Sequence, residues 1–116
     1  MRIEFYLPTI QQDGAPINPH TLQEWRVIVT GYMVRTWGGC SSHSVSGDWL
    51  DTEGRLHSED CRVIYSFGAM TPERATSLRE LSACACVVLN QSAIMVAIDG
   101  VADFVTKSLQ SDGLTD

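Results

Sequence analysis

The amino-acid sequence predicts an α+β fold, in which two helices cover one face of an antiparallel sheet. Three observations support this prediction. Arg2–Leu7 alternates apolar and polar residues, which is the period of a half-buried strand. Two later segments, near residues 20–36 and 71–90, repeat apolar residues at helical spacing. Between them, Thr36–Phe67 shows no helical period and has a turn near its middle, so it predicts one long β-hairpin.

The first strand is expected to turn Ile3, Phe5 and Leu7 towards the core and to end at Pro8. The following segment, Thr9–Pro19, is dense in turn-forming residues and therefore predicts a loop. A loop of this length is usually functional or mobile.

The first helix is predicted near residues 20–36. Asn18 or Thr21 is the candidate N-cap, and Gly38-Gly39 is the expected stop. Its apolar stripe is expected to pack on the sheet and consists of Leu22, Trp25, Ile28, Val29, Tyr32 and Met33.

The central hairpin is predicted to have strands near residues 40–50 and 56–67, with Gly54 supplying the positive φ that its loop needs. Pairing about Thr52-Glu53 would place Asp48 opposite His57 and Ser46 opposite Glu59. In the second strand, one face carries four residues that we expect to form the dominant core face: Cys61, Val63, Tyr65 and Phe67.

The second helix is predicted near residues 71–90, because Thr71-Pro72 is a hydroxyl N-cap followed by proline at the first helical position. Its expected apolar positions are Ala75, Leu78, Leu81, Ala85, Val88 and Leu89. A strand near residues 93–98 follows. Asp99-Gly100 then predicts a tight turn into a last short strand, Val101–Val105.

This order predicts the ferredoxin-like, split βαββαβ arrangement with a short C-terminal hairpin strand. Residues 1–106 are interpreted as a single α+β domain, and residues 107–116 as a flexible acidic tail. The sheet face without helices is expected to be open. We predict that this open face accepts a second copy in a homodimer, a protein or a small molecule.

The charge balance limits the partners. The chain has a formal net charge of -6, with 14 acidic residues against 8 Lys and Arg, and Lys107 is its only lysine. Direct binding to duplex nucleic acid is disfavoured because phosphate contacts need a basic patch. We find no apolar run long enough to span a membrane and no signal-peptide pattern, so we expect a cytoplasmic protein. The four cysteines, without CxxC spacing, are expected to be thiols.

Several turn and packing residues carry a resemblance. Gly38-Gly39 is followed by Gly47-Asp48-Trp49-Leu50-Asp51-Thr52-Glu53-Gly54, then by Glu59, and later by Ile98–Phe104. This resembles a group of short uncharacterised bacterial and phage proteins with the pattern GG…G.W.D..G…E and a late DGVA.F. The resemblance implies a ferredoxin-like architecture and no reaction, so no catalytic residue is carried over.

The candidate binding residues are polar or aromatic and cluster on the central hairpin: His43, Asp48, Trp49, His57 and Glu59. The adjoining Thr9–Pro19 loop is expected to take part. Trp49 is either an exposed binding anchor or a cross-strand packing residue. With Cys40 or Cys61, ligands for zinc exist in principle, but their spacing matches no established zinc motif. We therefore assign no metal, no cofactor and no catalytic residue.

Three hypotheses for function remain. The leading one is a non-catalytic binding module, encoded by a phage and acting on a host protein or on a small nucleotide-like signal. The second is a small metal-dependent enzyme that uses the His and carboxylate cluster of the hairpin. The third is an acidic inhibitor that occupies a basic surface of another protein. The sequence favours a binding role over catalysis, because no stretch matches a catalytic motif.

Overall fold

The chain folds into five strands and two helices. A computed structural model describes residues 1–50 and 52–107. The elements are β1 (Arg2–Pro8), α1 (Pro19–Trp37), β2 (Ser41–Leu50), β3 (Leu56–Phe67), α2 (Pro72–Val88), β4 (Ile94–Ile98) and β5 (Val101–Val105). The predicted order of elements is confirmed. Most of the predicted flexible tail, residues 108–116, lies outside the described residues.

The sheet has the strand order β2-β3-β1-β4-β5, and each pair of neighbours is antiparallel. Strand β1 is central, and both helices cover the same face. The predicted ferredoxin-like α+β fold is therefore confirmed. After β4, Asp99 and Gly100 both take positive φ, 51° and 81°, as a tight two-residue hairpin turn requires, and β5 extends the sheet at that edge.

The helix termini follow from local sequence. The Asn18 side chain caps α1 by accepting hydrogen bonds from the backbone N–H of His20 and Thr21, so Asn18 is the N-cap and Thr21 is not. Gly38 ends the helix in the left-handed region, with φ 91°, and its N–H donates to the carbonyl of Val34. Thr71 caps α2 through a hydrogen bond from the N–H of Arg74. These predicted start and stop signals are confirmed.

The core lies between the helices and the covered face of the sheet. Ile3, Phe5 and Leu7 of β1 are fully or almost fully buried there, as predicted. Strand β3 differs from its prediction. Phe5 pairs with Ile64, so Ile64 and Ser66 face the helices, while Tyr65 and Phe67 project from the open face. The expectation that the face with Tyr65 and Phe67 is the dominant core face was wrong, because the pairing with β1 decides which side of β3 is covered.

Helix α1 buries a narrower stripe than its sequence suggests. In α1 the buried residues are Trp25, Val29 and Met33, which follow one another at i+4. Ile28 was expected to lie in the core but is 42% exposed, because it falls at the border of this stripe. In α2, Val88 is the last helical residue and is likewise exposed.

We expect the two predicted core residues Leu78 and Ile28 to respond differently to truncation. Leu78 is 2% exposed, so Leu78→Ala should lower the free energy of unfolding by about 2–5 kcal/mol through the lost contacts and the cavity left behind. Ile28→Ala removes a side chain that is already partly in water and should cost clearly less. Urea denaturation of the two variants measures the difference. Equal losses would contradict this placement of Ile28.

The cysteines are thiols in the structure. On α2, Cys84 is exposed and Cys86 is buried, as expected for residues two apart on a helix. The Cys86 thiol donates to the carbonyl of Val105 at 3.1 Å, which joins α2 to the last strand. Cys86 therefore acts as a small core residue.

A close contact joins the end of α1 to the loop after β3. The indole N–H of Trp37 donates to the carbonyl of Ala69 at 2.8 Å, and the ring lies against Gly68. A Cβ atom on Gly68 would overlap the Cδ1 atom of Trp37. Only glycine lets the chain pass the indole so closely.

We expect Gly68→Ala to lower the free energy of unfolding by about 1–3 kcal/mol, because the new methyl group must displace the Trp37 ring. Gly39→Ala is the matched control, since a Cβ atom there meets nothing within 4 Å. Thermal or chemical denaturation of both variants checks the prediction. If Gly68→Ala is as stable as Gly39→Ala, the contact with Trp37 is not restrictive.

Among the residues that the structure describes, no helix is both long and apolar enough to cross a membrane.

Candidate functional site

The hairpin of β2 and β3 extends beyond the rest of the sheet. Strand β3 pairs with β1 only from Cys61 to Phe67, whereas it pairs with β2 from Leu56 to Tyr65. Residues 46–50 and 56–60 therefore form a two-stranded arm, which we call the arm, that projects past the end of β1. An isolated pair of strands is only marginally stable in water, so side-chain pairs across the arm matter for its structure.

The register of the arm differs by one residue from the predicted register. Trp49 pairs with His57, and Asp48 pairs with Ser58. The prediction that Asp48 faces His57 was wrong, because Leu50 pairs with Leu56 and an odd number of residues separates the strands. This shift matters because successive residues of a strand point to opposite faces.

Trp49 and His57 stack on the open face of the arm. Their ring centroids are 4.4 Å apart, and the planes differ by 16°. Trp49 nevertheless remains 51% exposed. Trp49 therefore packs across the strands and also presents aromatic surface to solvent. Its role as a binding anchor stays a prediction.

Glu59 lies on the same face, two residues from His57 along β3. Its partner across the strands is Gly47, which has no side chain to fill the space beside the carboxylate. Glu59 is half-buried, and burial raises the pKa of its carboxyl above the usual value. The structure thus brings three of the predicted residues together: Trp49, His57 and Glu59.

The other two predicted residues lie elsewhere. His43 is on the open face, but it pairs with Val63, four residues along β2 from Gly47, which is roughly 13 Å at the rise of a strand. There it packs edge-on against Tyr65, with the ring centroids 5.6 Å apart. Asp48 is on the opposite face, where its carboxylate accepts a hydrogen bond from the Ser58 hydroxyl.

The sequence did not single out the residues that surround His43. The guanidinium carbon of Arg2 lies 4.0 Å from the centroid of the Tyr65 ring and 5.6 Å from that of Phe67. Arg2 also approaches the carboxylate of Glu4, at 3.5 Å. The alternating aromatic residues of β3 were the available signal, but they had been assigned to the core. The open face therefore carries two groups of aromatic rings, one on the arm and one around Tyr65, and a partly buried carboxylate lies beside each, Glu59 and Glu4 respectively.

The involvement of the Thr9–Pro19 loop in binding stays a prediction. Hydrogen bonds join this loop to β3 and to the end of α2. Gln12 and Gln11 exchange side-chain hydrogen bonds with Asn90, so this part of the loop is tied to the end of α2. At its start, the Thr9 hydroxyl donates to the backbone carbonyl of Asp60 in β3.

The residues proposed for zinc do not come together. Within residues 1–50 and 52–107, no three His, Cys, Asp or Glu side chains are arranged to hold a metal ion. Cys61 lies on the open face, where burial first, and then the charges of Glu59 and Asp60, raise the pKa of its thiol. A thiol held in its protonated form is a poor metal ligand.

Comparison with known proteins shows the fold. No protein-family model matches the sequence, and no curated protein matches it. A phage SAM lyase in complex with S-methyl-5'-thioadenosine is similar in structure, with a TM-score of 0.59 and 15% identity, covering 90% of this chain and 88% of the other. A phage SAM lyase in its apo state has a TM-score of 0.61 and 13% identity, covering 99% and 91%. At these identities the likeness establishes a shared fold.

Proposed function

We propose that this protein is encoded by a phage, binds S-adenosylmethionine on the open face of the arm, and cleaves it. The shared fold with a phage SAM lyase, over about nine tenths of both chains, supports the choice of ligand. The observation that carries the proposal is the grouping of an exposed aromatic stack, Trp49 on His57, beside the half-buried carboxylate of Glu59.

This grouping suits the chemistry of S-adenosylmethionine. Adenine is flat and stacks on an aromatic ring such as that of Trp49. The sulfonium and ammonium groups are cations, which aromatic faces and carboxylates both attract. A ligand rich in phosphate would instead meet the negative charge of Glu59 on a chain whose net charge is -6. The proposal therefore narrows the predicted nucleotide-like ligand to a positively charged nucleoside.

Cleavage requires no covalent bond between the protein and the substrate. The carboxylate oxygen of S-adenosylmethionine attacks its own Cγ, a C–O bond forms, and the Cγ–S bond breaks. Its electron pair returns to sulfur and neutralises the sulfonium, giving S-methyl-5'-thioadenosine and homoserine lactone. No proton, water or cofactor enters the balance. The protein's contribution is to hold the substrate folded and partly out of water, so that the carboxylate meets Cγ.

The decisive experiment incubates the purified protein with S-adenosylmethionine and follows the products by mass spectrometry. Formation of S-methyl-5'-thioadenosine and the lactone supports the full proposal. Binding without products would support the non-catalytic module that the sequence favours. S-Adenosylhomocysteine is the control ligand, because it keeps the adenosine but lacks the sulfonium leaving group. If the protein binds neither of the two ligands, the proposal is contradicted.

The pH dependence of binding tests the role of Glu59. Because burial raises its pKa, Glu59 is expected to become protonated at a higher pH than an exposed carboxyl. Affinity for the cation should be full well above that raised pKa and should fall as the pH drops through it. Calorimetric titrations over a pH series measure this change, and Glu59→Gln should bind weakly at every pH. A wild-type affinity that does not change with pH would exclude Glu59 from the site.

Removal of S-adenosylmethionine, by cleavage or by sequestration, would act on the host cell, so this proposal places the protein in the host cytoplasm. The proposal also keeps the predicted homodimer, because Phe67 and Phe104 expose apolar surface on the open face. Their side chains are 62% and 42% exposed. Native mass spectrometry measures both the subunit number and any retained ligand. The acidic-inhibitor hypothesis stays a prediction.

A further inference from the structure

A cavity lies on the other side of the sheet from Trp49. It opens between the first half of α1 and the helix-facing side of β2 and β3, and its volume is about 260 Å³. Its apolar lining consists of Leu7 from β1 and of Pro19 and Leu22 from α1. Drug-sized ligands occupy sites of roughly 300–1,000 Å³, so this cavity suits a smaller metabolite.

Two arginines line the cavity, one from the helix and one from the sheet. Arg62 comes from β3, and its Nη1 donates to the hydroxyl of Ser42 at 3.2 Å. Arg26 comes from α1, and its side chain makes no hydrogen bond or ion pair with any residue in the described ranges 1–50 and 52–107. Within those ranges neither arginine is paired with a carboxylate, although the chain has 14 acidic residues.

A carboxylate lines the same cavity. Asp60 precedes Arg62 by two residues on β3, so both side chains leave the sheet on the same face. The Asp60 Oδ1 atom accepts a hydrogen bond from the Ser46 hydroxyl at 2.8 Å. Its negative charge would repel a simple anion held by the two arginines, but it would attract a ligand that also carries a positive group.

We propose that this cavity binds the amino-acid group of a small zwitterionic metabolite. The ligand's carboxylate lies between Arg26 and Arg62, and its ammonium group lies against Asp60. Arginine is suited to the first contact because its planar donors match a carboxylate. The apolar lining accommodates a short side chain. This site is independent of the proposed nucleoside site, since the sheet separates it from Trp49 and Glu59.

The test is a titration of isotopically labelled protein with L-homoserine, followed by the backbone amide resonances in NMR. The resonances of Gln23, Ser44 and Arg62 should shift in a saturable manner, with a dissociation constant on the order of 1 mM or tighter. Acetate, ethylamine and inorganic phosphate are titrated in parallel. Each should bind at least about tenfold more weakly, because none offers both charges to the cavity.

Variants separate the two charges of the ligand. Arg26→Gln and Arg62→Gln should each weaken L-homoserine binding by roughly tenfold. Asp60→Asn should weaken L-homoserine but strengthen acetate, because it removes the repulsion of the carboxylate. Arg55→Gln, which removes an arginine outside this cavity, is the matched control and should leave the affinity unchanged. Thermal melts verify that each variant is folded.

Three results would overturn the proposal. The first is the absence of saturable shifts at these amides up to about 20 mM L-homoserine. The second is tighter binding of phosphate than of L-homoserine, which would make the cavity an anion site. The third is equal affinity for L-homoserine in the wild-type protein and in the Arg26→Gln variant. Because Arg26 lies on the surface of α1, this substitution should not disturb folding.

Discussion

Replacing Phe5 with alanine should lower the free energy of unfolding by about 3–5 kcal/mol, which is a large part of the stability of a domain this size. Phe5 has no exposed surface and lies on β1, the central strand. Its neighbours across the strands are Ile64 and Val96, so truncation leaves a cavity in contact with three strands. Rigid strands on both sides limit how far this cavity can collapse. Guanidinium denaturation monitored by circular dichroism measures the loss.

Phe67→Ala is the matched control for Phe5→Ala. It removes the same atoms from the same sheet, but Phe67 is 62% exposed on the open face. We expect a loss of about 1 kcal/mol or less, mainly from the contacts with Tyr65 and Arg2. If the two substitutions cost the same, Phe67 is covered in solution, and a second copy on the open face becomes the explanation to test.

Replacing Trp49 with alanine should weaken the binding of S-adenosylmethionine by roughly 10- to 100-fold, as expected for the loss of an aromatic ring that stacks on a base. The melting temperature should change little, because half of the Trp49 side chain is already exposed and the arm contributes little to the core. Calorimetric titration measures the affinity, and differential scanning calorimetry measures the stability. His57→Ala should have a smaller effect in the same direction.

Trp37→Ala provides the opposite control. Trp37 is partly buried against the core and its indole donates to the Ala69 carbonyl, so its loss should lower the melting temperature. Affinity measured below that melting temperature should be close to that of the wild type. If instead Trp49→Ala melts as low as Leu78→Ala, Trp49 is principally a packing residue, and the arm loses its aromatic binding surface.

The sequence alone determined the features that depend on neighbouring residues in the chain. Thr71 and Gly38 mark helix ends through contacts within one turn, so their roles can be read without knowing the fold. At the start of α1 the sequence left Asn18 and Thr21 as alternatives, and the structure shows that Asn18 is the N-cap. The alternation of Ile3, Phe5 and Leu7 places one face of β1 in the core for the same reason, because the period of two belongs to the strand itself. Element order followed from these signals and predicted the fold class.

The tertiary structure decided which face of β3 is buried. Both faces of this strand carry apolar residues, so the alternation alone is ambiguous. The pairing of Phe5 with Ile64 removes the ambiguity, since it puts Ile64 under the helices and Tyr65 on the open face. The exposure of Ile28 has a similar origin, because the position of α1 on the sheet selects Trp25, Val29 and Met33 from a wider apolar stripe.

The candidate site was predicted in part. The residue types were found from the sequence, since Trp49, His57 and Glu59 stand out on a short hairpin. The sequence did not predict that these three side chains lie together on one face, because a shift of one residue in the register exchanges the two faces of a strand. The pairing of Leu50 with Leu56 sets that register, and it brings Trp49 onto His57 while Asp48 goes to the other side. Local sequence thus determined where strands and helices begin, and pairing between distant residues decided which side chains meet.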